Sequence, residues 1–198
     1  QGFHTMIIDT HCHLASRQFD QSRREIYVRH AAEAGIDRMI TLGACMDDWK
    51  ENLSWARQFP GTVFCALGIH PDDAHGAPEN WAEKLTAAAE TVPLAAIGET
   101  GLDYFHPVPE GWETADFHRR QQELLEEHFE LAARLGLNIV LHTRDRKGSR
   151  SFEDALAIAG NHAGRVRPVF HCFIGDTAQA ARIFDRLDGM VSFTGVAT

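Results

Sequence analysis

The feature that most constrains the fold is the regular alternation of short apolar runs with segments of helical spacing. Apolar runs of strand length occupy residues 7–13, 38–43, 63–70, 94–99, 138–142, 166–171 and 190–195, and a helix-patterned segment follows each run except the last. Strands that alternate with helices of this length pair in parallel through right-handed crossovers. Parallel strands are buried on both faces, so they are expected to be nearly continuous apolar runs, as these are. The pattern predicts an α/β protein.

Two α/β architectures fit this order, a closed barrel and an open doubly wound sheet. No glycine-rich phosphate loop follows the first strand, which weakens the nucleotide-binding version of the doubly wound sheet. In a barrel, polar residues at the carboxyl ends of the strands converge on one central site. Six residues occupy such ends: His11, His13, His70, Glu99, His142 and His171. We therefore predict a (β/α)8 TIM-type barrel with about seven of its eight strands, as a single domain over residues 6–198.

Composition narrows the class of protein further. The chain has 198 residues, of which 44% are hydrophobic, enough for a sizeable core, and no apolar run is long enough to cross a membrane. We expect a cytoplasmic protein, with its four widely spaced cysteines as buried thiols in a reducing compartment. Residues 1–5 lack a signal-peptide pattern and are interpreted as an expression-tag remnant. The net charge of −9 argues against a broad polyanion-binding surface, although bound divalent cations would reverse the field locally.

The first strand ends in two histidines one residue apart. Side chains on a strand alternate faces, so His11 and His13 point the same way and Cys12 points the other way. Two converging imidazoles make half of a site for Zn²⁺, Mn²⁺ or a similar ion. An isolated pair of this kind is equally explained as ordinary polar residues at a loop entrance. The later strands that also end in His or Glu favour the metal site.

Five motifs together resemble one protein family. They are Asp9-Thr10-His11-Cys12-His13-Leu14, Gly68-Ile69-His70-Pro71, Ile97-Gly98-Glu99-Thr100-Gly101-Leu102-Asp103-Tyr104, Leu141-His142-Thr143-Arg144-Asp145 and His171-Cys172-Phe173. This set resembles the TatD family of metal-dependent hydrolases, which are of the amidohydrolase type and known chiefly as deoxyribonucleases. The motifs follow the order of the family and cover nearly the whole chain.

The resemblance and the residue chemistry imply two divalent cations, zinc, manganese or magnesium. His11, His13 and Glu99 would bind one cation, and Glu99, His142 and His171 the second. A carboxylate is needed at position 99 because its two oxygens can bridge two cations, which an imidazole cannot do. The alternative for Glu99 is a buried carboxylate paired with an arginine.

Three further residues are expected around the metals. His70 is interpreted as a hydrogen-bond donor that faces the substrate, with a metal ligand or a packed side chain as alternatives. Arg144 is expected to hold a phosphate bidentately, and its alternative is a surface ion pair with Asp145. Asp103 is expected to accept N–H bonds and support the site rather than touch a metal.

The fourth strand is predicted at residues 94–99, followed by a loop at residues 100–113 that contains several aromatic side chains. Tyr104, Phe105, His106 and Trp112 would either stack on nucleic-acid bases or form the small core of their own loop. The sequence leaves both explanations open.

The resemblance implies phosphodiester hydrolysis of DNA ends, or of RNA ends, by a hydroxide shared between two metal ions. Glu99 would be the catalytic residue that bridges them. Hydrolysis of another ester, a lactone or an amide by the same site is an alternative, because the fold does not choose the substrate. A non-catalytic module that assembles through exposed strand edges is another. Nucleic acid is the expected substrate. The chain is expected to be a monomer or a homodimer that forms through the exposed strand edges.

The sequence departs from the family at several positions. Leu125 and His128 stand where the family usually has Phe and Gln, and Ile174 stands where it has Ser. The family also has an eighth strand with a Glu-Thr-Asp motif, whose Asp is a metal ligand, and nothing after Gly195 supplies it. A barrel of ~250 residues is typical, so a truncated enzyme and a naturally short gene product both fit. Without that Asp, we expect weak or no activity, a loss on the order of 10²–10⁴.

Overall fold

The structure, a computed structural model, describes residues 6–195 as one parallel sheet with helices packed against it. The interpretation of residues 1–5 as a tag remnant lies outside the described residues. The strands are β1 (Ile8–Cys12), β2 (Arg38–Gly43), β3 (Val63–Leu67), β4 (Ala96–Tyr104), β5 (Asn138–Asp145), β6 (Pro168–Phe170) and β7 (Met190–Val191). The helices are α1 (Arg24–Glu33), α2 (Met46–Gln58), α3 (Trp81–Thr91), α4 (Thr114–Leu135), α5 (Arg150–Gly160) and α6 (Thr177–Leu187), with 3₁₀ turns at Gln21–Arg23 and Pro71–Gly76.

The sheet is strongly curled. All strands pair in parallel in the order β1 to β7, so β1 and β6 are five positions apart. In a flat sheet, with strands about 4.8 Å apart, they would be separated by roughly 24 Å. Yet the rings of His11, at the end of β1, and His171, just after β6, are stacked with their centroids 4.1 Å apart. The sheet therefore forms a barrel wall, which confirms the predicted TIM-type architecture.

Apolar side chains fill both faces of this wall. Small and medium residues line the inside, where Leu42, Ala66, Ala96 and Val140 form a buried cluster. A larger cluster packs the outer face against the helices and contains several of the aromatic side chains. The helix α4 has 22 residues, buries one side and ends at Gly136 in the left-handed conformation, as its sequence pattern predicts. This packing fixes the strand ends from which the polar side chains project.

The prediction for β4 is wrong at its carboxyl end. The strand does not stop at Glu99 but continues to Tyr104, so the predicted loop begins five residues later. The reason is that β5 is also longer than predicted and pairs with this segment, with Asp103 opposite Arg144. At the other end of the sheet, β7 comprises only Met190 and Val191 rather than the predicted run to residue 195.

Two smaller expectations concern the state of the cysteines and the presence of membrane-spanning helices. None of the four cysteines is in a disulfide. Cys65 is buried as expected, but Cys12, Cys45 and Cys172 are partly exposed, so the expectation of full burial is wrong for these three. Within residues 6–195, no helix combines the length and the apolar character that a membrane span requires.

Candidate metal centre

Two histidines at the end of β1 face the centre of the barrel. The Nδ1 atom of His13 lies 3.2 Å from the carbonyl oxygen of Leu42, which leaves its Nε2 atom directed inward. The Nε2 atoms of His11 and His13 are 3.2 Å apart. They lie 3.3 and 3.6 Å from Oε2 of Glu99, respectively. The structure thus brings both histidines to one oxygen of this carboxylate.

Glu99 reaches the centre because β4 is irregular. In a regular strand, Ala96 and Glu99 would lie on opposite faces, since successive side chains alternate. The pairing of β4 with β5 shifts register between Ile97 and Thr100, and both Ala96 and Glu99 then face the inside of the barrel. The carboxylate is buried, with 4% of the residue exposed.

The glycines beside Glu99 allow β4 and β5 to approach closely. Gly98 and Gly101 have φ angles of +128° and +142°, a region that other residues rarely adopt. A Cβ atom at Gly98 would overlap the carbonyl oxygen of Val140, and one at Gly101 would overlap that of His142. Glycine is therefore required at both positions for Glu99 to reach the centre.

The second oxygen of Glu99 faces a different pair of histidines. Oε1 lies 2.7 Å from Nε2 of His171 and 3.3 Å from Nδ1 of His142. These two histidine nitrogens are 3.3 Å apart. The carboxylate is thus divided between two imidazole pairs, one on each oxygen, and none of the described arginines pairs with it.

The donor set fits two divalent cations. Burial raises the pKa of Glu99, but hydrogen bonds from His11, His142 and His171 lower it more, so the pKa lies well below its ordinary value and the group is ionised. Nitrogen atoms from two imidazole rings converge on each carboxylate oxygen. A neutral imidazole has one nitrogen with a free lone pair, and that nitrogen can coordinate a cation. The Nδ1 atoms of His11 and His171 are buried without a hydrogen-bond partner. Such a mixed nitrogen and carboxylate set suits Zn²⁺ or Mn²⁺.

Asp103 determines which nitrogen His142 directs toward the centre. Its Oδ2 atom accepts from Nε2 of His142 at 2.9 Å, while Oδ1 accepts from the backbone N–H groups of Phe105 and His106. Burial lowers the pKa of His142, but Asp103 and Glu99 together raise it to about 9. The structure places Asp103 behind a candidate ligand, at a position that does not contact Glu99.

His70 follows β3 and faces the same centre. Its Nδ1 atom accepts a hydrogen bond from the backbone N–H of Asp72 at 3.3 Å, so the proton is on Nε2. Nε2 lies 3.8 Å from Oε1 of Glu99, and the ring packs against His142 with centroids 4.5 Å apart. Burial, followed by the charge of His142, lowers the pKa of His70 to about 4. A neutral N–H donor therefore points into the site, and its distances also permit a role as a ligand.

The alternative explanation of Arg144, an ion pair with Asp145, is excluded by the structure. The Asp145 carboxylate instead accepts from the backbone N–H of Ser151 at 3.0 Å and from its hydroxyl at 2.6 Å, at the start of α5. The guanidinium of Arg144 lies 4.2 Å from the ring centroid of Phe105. Arg144 is exposed, two residues beyond His142, on the rim of the site.

Sequence reasoning missed two residues beside the centre. The sequence predicts that His106 stacks on a base or packs within its own loop, but its Nδ1 atom lies 2.9 Å from Oδ2 of Asp103. Asp72 was not singled out, and its Oδ2 atom lies 3.5 Å from the same nitrogen. The sequence signals for these two residues are weak: Asp72 lies two positions after His70, and His106 lies three positions after Asp103.

Most of the aromatic side chains after Asp103 pack internally. Tyr104 stacks on His118 with centroids 3.8 Å apart, and Trp112 packs against Phe117. These contacts support the small-core explanation for both residues. Phe105 differs, because 36% of it is exposed.

Comparisons with known proteins identify the family. The family model described as TatD related DNase matches residues 8–198. The uncharacterized metal-dependent hydrolase YabD of Bacillus subtilis is 30% identical over 197 residues, which is 98% of this chain and 70% of YabD. A Cronobacter turicensis protein named 3'-5' ssDNA/RNA exonuclease TatD is 32% identical over 177 residues, 89% of this chain and 62% of that protein.

A solved structure of a TatD homologue has the same fold. The crystal structure of YjjV, a TatD homologue of Escherichia coli, superposes with a TM-score of 0.77 at 28% identity, covering 93% of this chain and 66% of YjjV. This chain thus spans 62–70% of the length of these three relatives. The family match extends over nearly all of its residues, including every strand-end motif. The chain belongs to the TatD-related DNase family.

Proposed function

We propose that this chain holds two divalent cations and hydrolyses phosphodiester bonds at the ends of DNA or RNA strands. The observation that supports this most is the division of Glu99 between two histidine pairs, with Oε2 toward His11 and His13 and Oε1 toward His142 and His171. A carboxylate arranged in this way is suited to bridging two ions. The exonuclease activity named for the Cronobacter relative supports nucleic acid as the substrate.

The residues of the chain would divide the work around the scissile phosphate. Glu99 and the four histidines would hold two divalent cations. Such cations would supply an activated water and stabilise negative charge on the phosphate and the leaving oxygen. Asp103 keeps the proton of His142 on Nε2 and so leaves the lone pair of Nδ1 available to coordinate a cation.

Two cationic or donor groups would orient the substrate. The Nε2–H group of His70 points toward the centre, where it can donate to a phosphate oxygen. The guanidinium of Arg144 forms no direct ion pair among residues 6–195, although its charge opposes the rise that burial causes in the pKa of Asp72, and it has the planar geometry that binds phosphate bidentately. His70 would therefore contact the reacting phosphate from inside the barrel, and Arg144 from the rim.

The test combines metal content with hydrolysis. We expect close to two ions per chain by elemental mass spectrometry, and weak release of nucleotides from a labelled single strand in the presence of Mn²⁺ or Zn²⁺. Glu99→Gln should lose both ions and lower hydrolysis on the order of 10²–10⁴. Glu79→Gln removes the same charge at an exposed position outside the centre, and it should leave the metal content and the rate of hydrolysis unchanged.

Two outcomes would contradict the proposal. Metal-dependent cleavage that survives Glu99→Gln would show that the bridging carboxylate is not the basis of the activity. Turnover of nitrophenyl carboxyl esters with no turnover of any phosphodiester would assign the site to a different hydrolysis.

A further inference from the structure

A seven-residue segment beside the metal centre has a charge opposite to that of the whole chain. The chain carries 28 acidic and 19 basic residues, for a net charge of −9. The segment from Arg144 to Arg150, which we call the basic loop, contains four cations and one carboxylate. That carboxylate, Asp145, is turned toward the start of α5, where it binds Ser151. The basic loop thus presents a local positive surface on an acidic protein.

The cations of the basic loop are exposed, and most of them form no direct ion pair with a described carboxylate. Arg144, Arg146, Lys147 and Arg150 are all exposed. In the part of the chain that the structure describes, only Arg150 pairs with a carboxylate, that of Asp154 at 3.6 Å.

Several arginines elsewhere are neutralised more closely. Arg182 lies 2.6 Å from Glu153, Arg120 lies 3.0 Å from Glu127 and Arg165 lies 3.2 Å from Glu130. The basic loop is therefore free to attract an anion.

An exposed aromatic ring holds the basic loop at the rim of the centre. Arg146 donates from Nε to the carbonyl oxygen of Phe105 at 2.6 Å. The guanidinium carbons of Arg144 and Arg146 lie 4.2 and 5.8 Å from the Phe105 ring centroid. Phe105 itself follows Asp103 by two residues, and Asp103 contacts the candidate ligand His142. Two cations and one ring are thus placed beside the metal centre by contacts within the protein.

We propose that the basic loop and Phe105 bind the backbone and the bases of a single-stranded nucleic acid outside the metal centre. The proposal rests on the proposed function, because it extends the same substrate beyond the reacting phosphate. The cations suit successive phosphates, and the exposed ring suits an unpaired base, which has a free face for stacking. A duplex keeps its bases stacked on one another and has no such face to offer. A cavity lined by Arg144, Ser149 and Phe173, between the basic loop and the segment after β6, continues this surface.

The test measures binding separately from catalysis. Fluorescence anisotropy with a labelled single-stranded oligothymidylate, in the presence of EDTA, gives Kd over a series of salt concentrations. The triple change Arg146→Gln, Lys147→Gln and Arg150→Gln should weaken binding by about 10- to 100-fold at low salt and lower the slope of log K against log salt by about 2. Phe105→Leu should weaken it by about tenfold with little change in slope.

A matched control removes the same charge elsewhere. Arg57, Arg134 and Arg186 are exposed in the last turns of α2, α4 and α6, at the end of the barrel opposite the strand ends. Their triple change to Gln should alter binding far less than the change in the basic loop. Bis(p-nitrophenyl) phosphate is too small to reach the basic loop, so its hydrolysis should be equal in the wild type and in both triple variants.

The outcomes separate this inference from the proposed function. If oligothymidylate binding depends on the basic loop but no phosphodiester is hydrolysed, the surface stands and the proposed function fails. If bis(p-nitrophenyl) phosphate is hydrolysed but the wild type does not bind the strand, or both triple variants weaken binding equally, the inference is overturned. Equal binding of duplex and single strand would also overturn it.

Discussion

At the residue scale, the contact between Asp103 and His142 decides which nitrogen this proposed metal ligand directs toward Glu99. The 2.9 Å hydrogen bond keeps the proton on Nε2 and directs Nδ1 toward Glu99. Asp103→Asn removes the charge that stabilises this tautomer, so the cation on the His142 side should bind about 10- to 100-fold more weakly. A competitive titration against a chromophoric chelator measures this. Asp185→Asn, exposed on α6, is the control, and unchanged affinity in Asp103→Asn would refute the assigned role.

His128 makes a prediction about stability and pH. It is fully buried in α4, donates to the carbonyl oxygen of Leu124 at 2.7 Å and accepts from the N–H of Ile69 at 3.1 Å. Burial lowers its pKa to about 4, against an ordinary value near 6.5. Below pH 6.5 the unfolded chain therefore takes up a proton that the folded chain does not. The free energy of unfolding should fall by about 3 kcal/mol between pH 6.5 and pH 4 from this group.

The variant His128→Gln isolates this effect, because an amide keeps one donor and one acceptor but does not titrate. Urea unfolding of both metal-free proteins between pH 4 and pH 8 gives the comparison. The variant should lose less stability than the wild type as the pH falls, whereas His30→Gln, exposed on α1, should follow the wild type. Parallel curves for the wild type and His128→Gln would show that His128 titrates normally in the folded protein.

The sequence predicts which residues end the strands, but not how their side chains are oriented. His11, Glu99 and His171 can be placed at strand ends because each follows an apolar run in a repeating α/β pattern. The tautomer of His142 and the contact of His106 with Asp103 depend on residues brought together only by folding. Patterns along the chain carry no information on such pairs.

At the element scale, β4 shows why strand bounds are harder to predict than strand order. The segment 100–113 is rich in glycine, proline and aromatic residues, which is typical of a loop, so the strand is predicted to end at Glu99. In the structure the two glycines beside Glu99 allow β4 to pass close to β5, and pairing then continues to Tyr104. Gln121 of α4 secures the extension, since its side chain accepts from the N–H of Asp103 and donates to its carbonyl oxygen. Tertiary contacts thus outweigh the local preference for a loop.

Gly101 provides a test of this close approach. Its φ of +142° and the overlap of any Cβ atom with the carbonyl oxygen of His142 mean that Gly101→Ala must separate β4 from β5. We expect a loss of stability of about 2–4 kcal/mol or more, together with weaker metal binding, because Glu99 and His142 move apart. Thermal unfolding and elemental analysis measure both effects.

The control is a glycine without this constraint. Gly160 ends α5 with open space around its Cβ position, so Gly160→Ala should be neutral or slightly stabilising. If Gly101→Ala also retained full stability and metal content, the close packing of the two strands would not be required for the site.

At the scale of the whole molecule, the candidate metal centre connects parts of the sheet that do not pair with each other. β1 is an edge of the described sheet and pairs only with β2, and 42% of Ile8 is exposed. Its two histidines meet Glu99 of β4 across the barrel. The order of the strands follows from the sequence, whereas this closure across the barrel depends on the curl of the folded sheet. Bound cations should therefore stabilise β1 more than a strand in the middle of the sheet.

Hydrogen exchange with and without metal tests this last expectation. A cation at 100 times its Kd should add about 2.7 kcal/mol to the free energy of unfolding and raise the Tm by roughly 5–10 °C. Amides of β1 should gain protection beyond this global change, because opening β1 locally releases the cation. Amides of β3, which is central and whose residues Val63–Leu67 include none of the five residues proposed to hold the cations, should show only the global change. Glu99→Gln should abolish both effects, and an equal gain in β1 and β3 would mean that the cations do not hold β1 in place.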